Sequence, residues 1–425
     1  MLVRIEKPTD DAQIGLDDHG AAHRYLQDID KAVEKLKSSL WPLNKYIHEN
    51  PELAFQEHKA HDALTEYMCS HRAWKVTRSA HGIATAWIAE YDSGLAGPVV
   101  SFNAEMGHAC GHNLIASASL AAGLATASMM QHHGLAGKVR ILGTPGEEGI
   151  RGGKIRLLEA GAYQDVDISL ISHPGIDHNS PRVRTTAFAR IAVEYHGRAA
   201  HAANAPWEGV NALDALVIAY NAISVLRQQT RPQDIIGLAI LHGGDRANVI
   251  HAYASGECVV RCTSTARLDT LIEKVSSCFH AGATATGARL ALTLTRGYKD
   301  HIPNLVLADV YEAYFNALPG APHPPIPPNK QLTFVKASTD QGNISYAMPS
   351  VNASFAIPRG VEGGAPHSRD FERASGMEEA FERALRVGKA LAGVAVDVLQ
   401  RPGLLDEVKE AWSRDVKKAT EGLGD

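Results

Sequence analysis

From Ala187 to Gly297 the apolar residues follow a fixed order: strand, helix, strand, strand, helix, strand. FARIAVEYHG reads as a strand because apolar and polar positions nearly alternate, and Val210 to Gln228 repeats at helical spacing. IIGLAILHGG and IHAYASGECVVRCTST are strands, Leu268 to Ala285 is a helix, and ARLALTLTRG is the last strand. This β-α-β-β-α-β order is that of a ferredoxin-like split βαβ unit, which closes its own small core. Residues 187–299 are therefore expected to form a domain inserted into another.

The flanking chain has a different rhythm. Ala22 to Asn50 and, after the break at Pro51, Glu57 to Ser70 carry apolar residues at helical spacing. ATAWIAEY, PVVSFNAE, KVRILGTP and DISLISHPG are short apolar runs bounded by turn residues, with a small-residue helix after His112 and a segment Lys154 to Ala160 between them. Strands alternating with helices imply an α/β sheet covered by helices. Beyond the insert the chain returns to α/β material and passes a Pro-rich surface loop, PGAPHPPIPPNK. It finishes in helices from Met377 to Gln400 and Gly403 to Lys418. Residues 1–186 and 300–425 are assigned to this α/β domain, opening with a polar arm of about 20 residues. A length of 425 residues suits two or three domains.

Charge and composition remove several classes of function. Lys+Arg 42 against Asp+Glu 47 leaves a formal charge of −5, and no basic run offers a face for phosphates, so nucleic acid is not an expected partner. The longest uncharged run, Leu114 to Met130, is rich in Ala, Ser and Gly and shorter than the roughly 20 apolar residues that span a bilayer. It reads as a buried helix, and no membrane is expected. Five scattered cysteines do not form a disulfide framework, and the N-terminus resembles neither a signal nor a transit peptide. A reducing, cytoplasmic setting follows.

Chemistry-bearing residues gather at predicted strand ends. Gly107 to Asn113 (GHACGHN) puts a thiol at Cys110 and an imidazole at His112 on a glycine-rich loop that can turn both toward one metal. Alone, such a pair is more often a buried thiol beside a surface histidine. After the next strand, Thr144 to Gly149 (TPGEEG) holds two adjacent carboxylates, Glu147 and Glu148. One can coordinate a metal while the other carries a proton. A solvated turn explains Glu-Glu equally well until His173, in ISHPG, presents another donor at the same sheet edge. His367, in GAPHS after the strand-like VNASFAIP, would on its own be a loop histidine. Together Cys110, His112, Glu148, His173 and His367 offer N, O and S donors that suit two borderline ions such as zinc better than calcium or magnesium.

The ordered set HENPELAFQEH, GHACGHNLIA, GTPGEEG, ISHPG, GRAAHAA, NAPWEGVNALDA, GGDRANVI, STDQGNIS and GAPHS resembles the co-catalytic metallopeptidase family of aminoacylases, glutamate carboxypeptidases and auxin-conjugate amidohydrolases. Within its cysteine-ligand branch the chain is most similar to aminobenzoyl-glutamate hydrolases and β-alanyl-lysine-type dipeptidases. The resemblance implies a zinc-peptidase-like α/β catalytic domain with an inserted lid and dimerisation domain. It implies a homodimer that cleaves the amide of a dipeptide or N-acyl amino acid. It also implies that Cys110, His112, Glu148, His173 and His367 hold two divalent ions, zinc first, with manganese or cobalt as alternatives. Glu147 is then the general base that takes a proton from a metal-activated water, and His201, in GRAAHAA, reaches the partner subunit's site to steady the oxyanion. Asn248, in GGDRANVI, binds the substrate's carboxylate or carbonyl oxygen. Read without the family, His201 is a strand-end residue and Asn248 a turn former.

One departure stands out. The subgroup runs Glu-Tyr-Asp-Ala-Leu-Pro-Gly into GHACGH, whereas here Phe102-Asn103-Ala104-Glu105-Met106-Gly107 leads straight in, without the aspartate that orients metal ligands. Such partners contribute about 10- to 100-fold in metal affinity or activity, and Glu105 is the carboxylate at hand to substitute. The departure motivates a rival reading, a metal-poor relative that binds or scaffolds without hydrolysis. An enzyme forming an amide at the same site is another. A Cys110 nucleophile is a further one, which leaves the Glu-Glu pair and two histidines without a task.

Overall fold

The computed structural model describes residues 24–107, 110–149, 152–320, 324–328 and 330–421. The N-terminal arm, His108, Ala109 and part of the Pro-rich loop lie outside the described residues. The α/β domain opens with helices α1 (Leu26–Glu49) and α2 (His58–Cys69). Helix α1 ends just before Asn50, because a residue that precedes proline is pushed out of the helical region.

Six strands form the main sheet: β1 (Lys75–Arg78), β2 (Trp87–Asp92), β3 (Val99–Glu105), β4 (Lys138–Thr144), β5 (Ile168–Gly175) and, far along the chain, β12 (Ser350–Ala356). Their order is β1-β2-β4-β3-β5-β12. Strands β4, β3, β5 and β12 are parallel, whereas β2 runs antiparallel to β4 and β1 antiparallel to β2. The uniform alternation read from the sequence therefore fails at one edge. Only a three-residue 3-10 turn (Ala80–Gly82) stands between β1 and β2 and no helix between β2 and β3, and without a crossover helix consecutive strands cannot join a parallel ladder.

Helix α3 (His112–His133) is apolar all round and lies between the sheet and α1, with 94% of its most apolar window buried. It packs against α10 (Glu378–Gln400), which follows the short α9 (Arg369–Ser375), and α7 (Leu305–Ala317) extends this layer. The short helices α4 (Gly153–Glu159) and α8 (Gln341–Ala347) contribute Leu157 and Ile344 to a smaller cluster with Leu142 and Ala86. The last helix is α11 (Leu404–Thr420).

The insert is β7 (Ala187–His196), α5 (Ala212–Leu226), β8 (Ile235–His242), β9 (Tyr253–Cys262), α6 (Thr265–Thr286) and β10 (Arg289–Arg296). These four strands form an antiparallel sheet in the order β10-β7-β9-β8, the ferredoxin-like arrangement. Both helices pack on it around Tyr195, Leu216, Val260 and Phe279, a core separate from that of the α/β domain. Two-residue strands β6 (Val183–Arg184) and β11 (Thr333–Phe334) pair beside the crossing points between domains.

Strand β4 must pass under the Trp87 indole to deliver the loop that carries Glu147. A Cβ on Gly143 would fall 1.9 Å from Trp87 Nε1, so only glycine fits there. Gly143→Ala is expected to cost about 1–3 kcal/mol through overpacking, measured by urea denaturation. Wild-type stability would contradict this packing.

Candidate metal centre

The carboxyl ends of the parallel strands meet at one edge of the sheet, where open α/β sheets bind ligands. Strand β3 ends at Glu105 and leads within seven residues to Cys110 and then His112, the first residue of α3. Glu147 and Glu148 follow β4, His173 lies near the end of β5, and His367 stands on the loop after β12. In the ladder Ser354 of β12 is paired with His173. His367 adopts a left-handed backbone (φ 71°), uncommon outside glycine and a mark of a constrained site. Its loop is tied by Asp370, whose carboxylate accepts the backbone N–H groups of Gly364 (2.8 Å) and Glu362 (3.2 Å) and is thereby held below its ordinary pKa.

The five donors converge. Donor atoms of Cys110, His112 and His173 lie within 4.8 Å of one another, and so do those of Cys110, Glu148 and His367. Cys110 belongs to both triads, with its Sγ 3.0 Å from His367 Nε2. A third group joins Glu105, His112 and Glu147. These residues fit a pair of metal ions on three counts. His173 Nδ1 donates to the carbonyl of Pro174 (2.9 Å) and His112 Nδ1 faces that of Met106 (3.3 Å), which fixes the tautomer that aims Nε2 inward. The buried His112 Nε2 has no hydrogen-bond partner among the described residues. Burial lowers the His173 pKa, keeping the imidazole neutral as a ligand must be.

Burial, and then Glu148, push the Cys110 thiol well above its ordinary pKa. A catalytic thiolate needs the reverse, so the geometry argues against Cys110 as nucleophile. A metal cation would supply the missing positive charge and deprotonate it. Glu147 is 6% exposed, and burial, then Glu105 and Asp340, raise its carboxyl well above the usual range. Cys110, Glu147, Glu148, His173 and His367 share the wall of a cavity of about 280 Å³, otherwise largely apolar. A larger groove of about 560 Å³, lined by α1, α3 and the end of α2, is open and contains none of these donors.

His201 and Asn248 stand elsewhere. Both are exposed, side by side at one end of the insert, where His201 bridges Val249 and the Asn248 carbonyl accepts the N–H of Ala202 (3.1 Å). His201 Nδ1 accepts the N–H groups of Ala203 and Asn204, which leaves Nε2 as the protonated, outward nitrogen. Neither lines the cavity of its own chain.

Four residues escaped the sequence reading. Lys154, fully buried at the start of α4, forms ion pairs with Glu105 (2.5 Å) and Asp340. Burial works against its charge, yet Asp340 and Glu105 hold the ammonium above its ordinary pKa. Asp340 also accepts the Lys154 backbone N–H (3.0 Å). Glu57 lies in HENPELAFQEH and takes the Gly146 N–H (2.7 Å), fixing the turn before Glu147. Tyr298, at the return from the insert, donates to the Glu147 and Gly149 carbonyls. A lysine among apolar residues was the only available signal for the cluster, because its partners lie 49 and 186 positions away.

A peptidase dimerisation domain model matches residues 185–284. Mouse Xaa-Arg dipeptidase is 37% identical over 405 residues, covering 92% of this chain and 91% of its own. The chain belongs to the M20 peptidase family. It is an amidohydrolase, as expected from its motifs. One of the p-aminobenzoyl-glutamate hydrolase subunits of Escherichia coli is 29% identical over 308 residues, 67% of this chain and 64% of that one. A dinuclear metal-binding M20 peptidase from Bacillus subtilis shares the fold, with a TM-score of 0.62 at 18% identity over 86% of this chain and 99% of its own.

Lys154→Met would leave Glu105 and Asp340 buried without a counter-ion, and a loss of about 3–5 kcal/mol is expected. Urea denaturation of the metal-free protein measures it, and a change below about 0.5 kcal/mol, ordinary for a surface site, would contradict the assignment.

Proposed function

We propose that this M20 amidohydrolase cleaves dipeptides, with Glu147 as general base beside two divalent ions, zinc first, held by Cys110, His112, Glu148, His173 and His367. The sharing of Cys110 between two donor triads, with buried Glu147 adjoining them, carries the reading. When bound, such an ion pair polarises the scissile carbonyl and acidifies a water. Glu147, whose proton affinity burial has raised, accepts the water's proton and returns it to the leaving amine. His201 comes from the partner subunit, where its outward Nε2–H donates to the developing oxyanion, and neighbouring Asn248 binds the substrate's carboxylate or carbonyl oxygen. The insert offers a face for that dimer: Val217, Tyr220 and Val225 on α5, and Ile240 and Leu241 on the edge strand β8, are exposed.

The likeness to Xaa-Arg dipeptidase supports a dipeptide with a basic C-terminal residue as substrate. A cytoplasmic setting suits a ligand thiol in a chain whose five cysteines form no disulfide.

Amino-acid release from a dipeptide panel tests the chemistry. Glu147→Gln should keep the metal content of the wild type and lose at least about 100-fold in kcat. Undiminished turnover removes Glu147 from the role. His201→Ala and Glu147→Gln chains, each inactive alone, should regain activity when mixed, because a mixed dimer contains one complete site. No recovery in demonstrated heterodimers would contradict a His201 acting across the dimer.

A further inference from the structure

Glu105 is 1% exposed and reaches the donor cluster from the end of β3. Its two oxygens have different surroundings. Oε1 accepts from Lys154 Nζ at 2.5 Å, whereas Oε2 is buried with no hydrogen-bond partner among the described residues. Oε2 lies 3.6 Å from His112 Nε2, and that nitrogen is also buried without a hydrogen-bond partner among the described residues. Two unsatisfied buried atoms, a carboxylate oxygen and an imidazole lone pair, thus face the same gap. Buried polar atoms are rarely left bare.

We propose that Glu105 is a further metal ligand, sharing an ion with His112 and held on target by Lys154 and Asp340. The inference rests on the dinuclear reading above and adds a carboxylate to its five donors. It also gives a physical account of the shortened approach to GHACGH. The chain runs from Glu105 to Cys110 without an intervening aspartate, and Glu105 stands beside His112 with its donor oxygen within 4.8 Å of the imidazole nitrogen. Lys154 and Asp340 are positioning residues: the ammonium fixes Oε1 and so leaves only Oε2 free to turn toward the gap.

The test is titration of metal-free wild type, Glu105→Gln and Glu105→Asp with zinc, with cobalt(II) absorption spectra in parallel and thermal unfolding of each metal-free protein. Gln removes the charge at constant shape, and Asp keeps the charge but withdraws the oxygen by one methylene. Either variant, if folded, should bind one ion about 10- to 100-fold more weakly and show an altered cobalt(II) spectrum; Glu105→Asp, which keeps the charge opposite Lys154, should do so with a metal-free Tm near that of the wild type, whereas Glu105→Gln is expected to lower it by removing one of the two ion-pair partners. Wild-type affinity and spectrum in a folded variant would overturn the proposal. So would a loss of affinity in Glu105→Asp that merely tracks a fall in its metal-free Tm, since packing alone then explains it. Wild-type protein that binds no metal defeats the dinuclear reading itself, a result distinct from two bound ions that are indifferent to Glu105.

Discussion

A single buried ammonium organises the site. Lys154 is fully enclosed, and its two ion pairs join the end of β3, the start of α4 and the start of α8. Each joint is close to a functional segment: Glu105 precedes the Cys110 loop, and Lys154 follows the loop of Glu147 and Glu148. Burying such a cluster is costly, and removing one partner costs more, because it strands the remaining charges away from water. The carboxylates nevertheless outnumber the cation. Glu105, Asp340, Glu147 and Glu148 surround one lysine and two inward-turned histidine nitrogens. The arrangement therefore carries an excess of negative charge that bound cations would offset, and the pKa values of Glu147 and Cys110 are raised first by burial and then by that excess.

Most of the architecture was legible because it depends on local pattern. The insert's strand and helix order was readable from its apolar spacing, and four antiparallel strands in the order β10-β7-β9-β8 follow from it. The donors were legible because parallel strands deliver their carboxyl ends to one edge, so motifs after β3, β4 and β5 must become neighbours. Long-range pairing was not legible. Nothing in KVTR or ATAWIAEY distinguishes an antiparallel edge from another parallel strand except the absence of a helix between them. The partners of Lys154 could not be read either, since an isolated lysine in a short helix is normally a solvated residue. Glu57 and Asp340 lay in recognised motifs, but the backbone N–H groups they accept are visible only in three dimensions.

The insert and the α/β domain are linked mechanically as well as by sequence. Tyr298, just after β10, ties the carbonyls of Glu147 and Gly149 to the point where the insert rejoins the sheet domain, and its ring packs edge-on against Phe188 at the start of β7. A rotation of the insert would thus be felt at the loop of the general base. The same insert presents His201 and Asn248 away from their own cavity, beside exposed apolar residues on α5 and β8. A site completed by a second subunit reconciles these placements, and it makes association and chemistry parts of one structure.

The converging strand ends set Cys110 in two donor triads, which would together hold two metal ions. Elemental analysis of protein after zinc exposure and removal of loosely held metal tests it most directly. The account predicts close to two equivalents per chain, and loss of both, not one, in Cys110→Ala, because both donor triads contain that thiol. One equivalent or none in the wild-type chain, or two retained without Cys110, would contradict it.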